Sequence, residues 1–86
     1  MLQDLATVIA QLKNEAQIIC FLESILTEKE RQAILQRIAI LHRLEAGTPH
    51  HEIAKELHVG VATVTRGTKV LKQKSYQKIK SLLCTD

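Results

Sequence analysis

A single proline and three glycines are all the backbone punctuation in 86 residues, and the proline stands two positions after one of the glycines, in Gly47-Thr48-Pro49. Around these rare breaks apolar residues recur at helical intervals. Leu2, Leu5, Ile9 and Leu12 follow one period, Lys13 and Asn14 interrupt it, and Ile18, Ile19, Phe21, Leu22, Ile25 and Leu26 resume it, which predicts two short helices. Thr27-Glu28-Lys29-Glu30 then has the form of a capping box, in which the Thr27 side chain accepts from the N–H near Glu30 and the Glu30 carboxylate reaches back. A third helix is predicted from there to about Ala46, with Gly47 as its left-handed C-terminal residue and Pro49 unable to continue the ladder. The chain reads as all-α and as one domain, 1–86, without repeats, linkers or low-complexity segments.

A helical chain this short has a stability problem, because a monomer of its size buries only about 60% of the surface that its unfolded form exposes. Phe21 and Tyr76 are the only aromatics, so the core must be aliphatic. On the third helix Ala33, Ile34, Leu35, Ile38, Ile40, Leu41 and Leu44 cover well over half the circumference, whereas a surface helix needs an apolar arc of little more than about 100°. This helix is expected to be central and to contact a second subunit as well as its own chain.

The net charge of +3 is unevenly spread. Residues 1–45 carry five Lys/Arg against six Asp/Glu, and residues 46–86 carry seven against three, so a polyanion would dock on the second half. No signal-peptide pattern and no membrane-length apolar run is present, and Cys20 and Cys84 lie in helical, mostly apolar contexts. A reduced, cytoplasmic protein is expected. Its thiols are read as small buried hydrophobes, with a disulfide or redox role as the alternative.

The segment from about Pro49 to Lys72 reads as a helix-turn-helix. Thr48 can cap a helix with Pro49 at its first position, Ile53, Ala54 and Leu57 mark the buried face, and His58-Val59-Gly60 ends it. From Val61 a second helix puts Val64, Gly67 and Leu71 on one side and Ala62, Thr65, Arg66 and Lys69 on the other. Small polar groups with cations suit a helix entering the major groove, where methyls and hydroxyls meet base edges and cations meet phosphates. His58 occupies the turn position where glycine is usual, at a strain of about 1 kcal/mol. An ordinary helical hairpin is the alternative reading.

Other chemistry finds little footing. His42, His50, His51 and His58 lack metal-ligand spacing, and adjacent His50 and His51 point about 100° apart on a helix. No nucleophile–base–acid arrangement or phosphate-cradling glycine loop is present, so neither an enzyme nor a metal protein is expected. In the closing basic run, Lys69 and Lys72 belong to the reading head, whereas Lys78 and Lys80 read as plain surface.

The stretches Leu26-Thr27-Glu28-Lys29-Glu30-Arg31, Gln36-Arg37 and Gly60-Val61-Ala62-Thr63-Val64-Thr65-Arg66-Gly67 resemble the bacterial tryptophan repressor family, over about residues 26–72. The resemblance implies six helices in an intertwined homodimer, with the fourth and fifth helices as reading heads on double-stranded operator DNA. It implies L-tryptophan as corepressor, its indole sandwiched between Arg37 and Arg66, its carboxylate held by Arg66, and the ring admitted beside Gly67. Ile40 would supply an apolar wall, and backbone carbonyls around Ser24, Leu26 and Thr27 would accept from the ammonium. Arg37 falls inside the apolar arc, where a charge needs a partner. An intersubunit salt bridge for Arg37, a phosphate contact for Arg66 and simple helix contact for Gly67 remain open beside the ligand roles.

Two departures stand out. The family's pocket-lining leucine falls on Ser24, and its amino-contacting serine falls on Val70. Glu52 stands where enteric members have an arginine reaching the operator, which implies a different operator. The DNA-facing set is expected to be His51, Glu52 and Lys55, then Gly60, Val61, Ala62, Thr63, Thr65, Arg66 and Lys69, and finally Lys72. The leading expectation is a tryptophan-responsive repressor. A ligand-independent DNA-binding module of the same superfamily, or a helical dimerisation adaptor that never touches nucleic acid, are the alternatives.

Overall fold

The computed structural model describes residues 1–83, and every regular element among them is an α-helix. In chain order these are α1 (Leu2–Ala10), α2 (Glu15–Ile25), α3 (Glu28–Glu45), α4 (His50–Leu57), α5 (Val61–Leu71) and α6 (Lys74–Leu83). None of them is long and apolar enough to cross a membrane. The chain divides into two units, Met1–Ala33 and Ile34 onward, with the division falling inside α3.

In the first unit side-chain caps set the helix boundaries. Asn14 is extended and its Oδ1 accepts from the Gln17 N–H at 2.9 Å, so the polar interruption between α1 and α2 is itself a helix start. The predicted capping box forms. Glu30 N–H donates to Thr27 Oγ1 at 3.1 Å and Thr27 N–H donates to Glu30 Oε1 at 2.8 Å. Arg31, one turn on, donates from Nη1 to the Leu26 carbonyl at 2.8 Å and the Glu23 carbonyl at 3.4 Å, placing a cation at the negative end of α2. The unit encloses no core: α1 and α2 bury no residue, and Leu2, Leu5, Val8, Ile9, Ile18, Ile19, Leu22 and Ile25 are all exposed. Cys20 is exposed too, which corrects its expected burial, because nothing in this unit covers the apolar face it shares. Cys84 lies outside the described residues.

The second unit holds the core. Ile40 of α3, Ile53 and Ala54 of α4 and Val64 of α5 are buried together, with Leu44, Leu57 and Val59 packed against them. Leu35, on the same helix as Ile40, stays 60% exposed, so the wide apolar arc of α3 is covered only in part. α3 closes as predicted, on Gly47 at φ +83°, where Gly47 N–H donates to the Leu44 carbonyl and Thr48 N–H to the Arg43 carbonyl, both at 3.0 Å. That closure corrects the start of the next helix. Thr48 is engaged in ending α3, and Pro49 (ψ 144°) caps α4 in place of Thr48, its carbonyl accepting from Glu52 and Ile53. α4 ends on His58 in the left-handed region (φ 56°, ψ 45°), where the N–H groups of His58 and Val59 both donate to the Ala54 carbonyl. Buried Tyr76 of α6 donates to Glu45 Oε1 at 3.1 Å, and His42 Nε2 donates to the Leu83 carbonyl at 2.6 Å, tying α6 to α3.

Two outcomes follow from these caps. Hydrogen bonds from the Thr27 backbone N–H and, second, its side chain hold the Glu30 carboxyl below its ordinary value of 4.5. A depressed acid stabilises the fold above its unfolded value, so this contribution is present above about pH 4.5 and is lost as pH falls through the lower folded value. Thermal melts from pH 6 down to pH 3 should therefore decline less steeply for Glu30→Gln than for the parent. At the left-handed turn, His58→Gly should raise stability by about 0.5–1 kcal/mol by relieving the steric cost of φ > 0, read as a higher midpoint in urea.

Candidate functional site

The second unit contains a pocket of about 280 Å³ between α3 and α5. From α3 it receives Arg37, Ile40 and Leu41, which follow one another at helical spacing along one stripe. α5 contributes Thr63, Arg66, Gly67 and Val70, again one face. Gly67 sets the distance between the two helices. A Cβ there would stand 3.0 Å from both Ile40 Cγ2 and Leu44 Cδ1, closer than packed side chains normally sit. The glycine, costly by about 1 kcal/mol within a helix, is thus explained by close helix contact and by the pocket at once.

The electrostatics are one-sided. Two guanidinium groups border the pocket, no acidic side chain lines it, and neither Arg37 nor Arg66 has an ion-pair partner among the described residues. Arg37 is exposed, so it avoids the cost of an unpaired buried charge that its place in the apolar arc suggested. A guanidinium can stack on a planar ring through its face and pair a carboxylate through its edge, and the remaining lining from Ile40, Leu41 and Val70 suits an apolar ring. The site is chemically fit for a planar, anionic molecule.

Of the residues expected around a ligand, the pocket brings together Arg37, Ile40, Arg66, Gly67 and Val70. Ser24, Leu26 and Thr27 belong to the first unit. There Ser24 lines an open groove with Phe21 and Ile25, and its hydroxyl donates to the Cys20 carbonyl at 2.7 Å. Leu41 and Thr63 were not expected to border the pocket. Helical spacing could have found both, since Leu41 lies one turn beyond Arg37 and Thr63 one turn before Arg66 and Gly67.

The outer side of the same unit carries the residues expected to face DNA. Ala62, Thr65, Arg66 and Lys69 are exposed along α5, Val61 and Gly60 are exposed at its start, and Lys72 is exposed at its end, whereas Thr63 is half-buried. His51, Glu52 and Lys55 are exposed on α4. Glu56 is neutralised by Arg43, whose Nε meets its carboxylate at 2.8 Å, so Glu52 is left as the acid of α4 without an ion-pair partner among the described residues. Thr65 donates its hydroxyl proton to the Val61 carbonyl of its own helix at 3.0 Å. No group of three or more His, Cys, Asp or Glu among the described residues could hold a metal ion.

Comparison with known proteins bears on all of this. A "Trp operon repressor homolog" of Photobacterium profundum is 47% identical over 55 residues, which make up 63% of this chain and 53% of the relative, so the match spans about half of that relative's length. One from Vibrio cholerae serotype O1 is 34% identical over 74 residues, covering 85% of this chain and 72% of the relative. Another, from Vibrio campbellii, is 39% identical over 66 residues, or 72% and 66% of the two chains. No solved structure matches the chain. The family model described as "Trp repressor protein" matches residues 1–84, and the chain belongs to that family.

Proposed function

We propose that this protein is a sequence-specific, DNA-binding transcriptional repressor that acts as a homodimer in the cytoplasm and uses L-tryptophan as corepressor to control tryptophan biosynthesis genes. The observation that carries the reading is the double use of α5. One face lines the α3–α5 pocket with Arg66, Gly67 and Val70, while the neighbouring face exposes Ala62, Thr65 and Lys69. A ligand held by Arg37 and Arg66 therefore touches the helix that would read DNA.

In this reading α4, the His58 turn and α5 form the helix-turn-helix. α5 enters the major groove, Thr65 and Ala62 meet base edges, and Lys69, Lys72 and the N-terminus of α5 meet phosphates. His51, Glu52 and Lys55 lie where α4 crosses the backbone. The exposed apolar side chains of α1 and α2 supply the surface on which a second copy would close the core. The ligand then shifts a population, favouring the arrangement of the two heads that fits two half-sites, and it does so only through tighter binding to that arrangement.

Selection of operator sites from random DNA with and without L-tryptophan tests the reading. Enrichment of a symmetric site that strengthens with tryptophan is expected. Enrichment indifferent to tryptophan would instead identify a ligand-independent DNA-binding module, a reading favoured by the absence of any acidic partner for an ammonium among the residues lining the pocket. The double variant Thr65→Glu, Lys69→Glu should lose most operator affinity, at least about a hundredfold, through like-charge repulsion and lost phosphate contact. Unchanged affinity would sink both readings. Sedimentation should give a dimer at micromolar concentration, and a folded monomer there would contradict the shared core.

A further inference from the structure

The basic run does not end with the helix proposed to read DNA. From Val61 to Leu83 the chain carries Arg66, Lys69, Lys72, Lys74, Lys78 and Lys80 and not one acid. Lys69, Lys72, Lys74 and Lys78 are exposed, and none has an ion-pair partner among the described residues. On α6, Lys74 and Lys78 stand one turn apart, about 6 Å along the axis, on the side opposite buried Tyr76. Half-buried Lys80 lies on the Tyr76 side. α6 is held to the end of α5, where Gln77 Nε2 donates to the Leu71 carbonyl, and to α3, where Tyr76 donates to Glu45 Oε1 at 3.1 Å. The exposed lysines thus continue from the last turn of α5 onto α6.

These charges work against the helix that carries them. The N-terminus of a helix is its positive end, where an acid helps and a cation is repelled, yet the first turn of α6 holds Lys74 and no acid. Lys74 and Lys78 also repel each other across one turn. A polyanion relieves both penalties. We infer that Lys74 and Lys78 bind the phosphate backbone of the same DNA duplex that α5 reads, beyond the groove α5 enters, so that α6 adds sequence-independent affinity to the reading head. The inference rests on the DNA-binding reading above. In a symmetric contact of this face with itself, a second copy would bring the same lysines and relieve neither penalty.

Fluorescence anisotropy of the full chain, with the duplex recovered by operator selection and with a scrambled duplex of equal length, tests this between 50 and 200 mM salt. Each phosphate contact contributes about 0.9 to the slope of log affinity against log salt. The variant Lys74→Gln, Lys78→Gln should flatten that slope by about 1.8 for each chain bound, on both duplexes, and leave the preference for operator unchanged. It should melt no lower than the parent. Lys13→Gln, Lys29→Gln removes the same charge from exposed positions of the first unit and should leave the slope as in the parent. A slope unchanged in the α6 variant overturns the inference, and so does equal flattening in both variants, which net charge alone would produce. Weaker dimerisation of the α6 variant in sedimentation, with an unchanged slope, overturns it by assigning the face to a contact between copies. Failure of the parent to bind either duplex overturns the DNA reading itself, and the inference with it.

Discussion

The second unit depends on how closely α5 can lie against α3. The missing side chain of Gly67 decides that distance, since a single added carbon would press on Ile40 and Leu44 together. Ile40 is in turn part of the buried cluster with Ile53, Ala54 and Val64, so the same approach that opens a pocket on one side of Ile40 seals the core on the other. Close packing transmits small displacements instead of absorbing them. Anything that wedges α3 from α5 must therefore disturb the seat of α4 as well.

The two units solve the small-chain problem in opposite ways. The second closes a core from three helices and a left-handed turn. The first leaves its aliphatic side chains on the surface while fixing its helix ends with care, through Asn14, the Thr27–Glu30 pair and Arg31. Caps hold helices in register without needing a core, because each orphaned N–H or carbonyl is satisfied locally. On the proposed homodimer, a unit capped in this way would present its apolar side chains to the second copy.

Much of this was legible in the residues because it is governed by local chemistry. The capping box at Thr27, the glycine closing α3 and the strained turn at His58 depend on residues within one turn of each other, and each formed as read. Arg37 and Ile40 from α3 line one pocket with Arg66, Gly67 and Val70 from α5, because each set lies at helical spacing on one face. The misreadings came from competition and from coverage. Thr48 was a sound cap in isolation, but its N–H was claimed by the end of α3, which moved the next helix start to Pro49. Cys20 looked buried because its neighbours are apolar, yet periodicity reports which face is apolar and says nothing of what covers it. Leu41 and Thr63 escape a reading weighted toward charge and glycine, whereas a pocket wall is set by spacing.

The hydroxyl of Thr65 carries a last consequence. By giving its proton to the Val61 carbonyl, it faces outward with lone pairs and a methyl group only. An outward group of that kind can receive a hydrogen bond from the exocyclic amino group of adenine or cytosine, or rest against the methyl of thymine, but it has nothing to offer the bare acceptors on the major-groove edge of guanine. On the proposed DNA-reading face, the intrahelical bond at Thr65 would thus filter bases, turning a small detail of helix geometry into a preference against guanine at the position it meets.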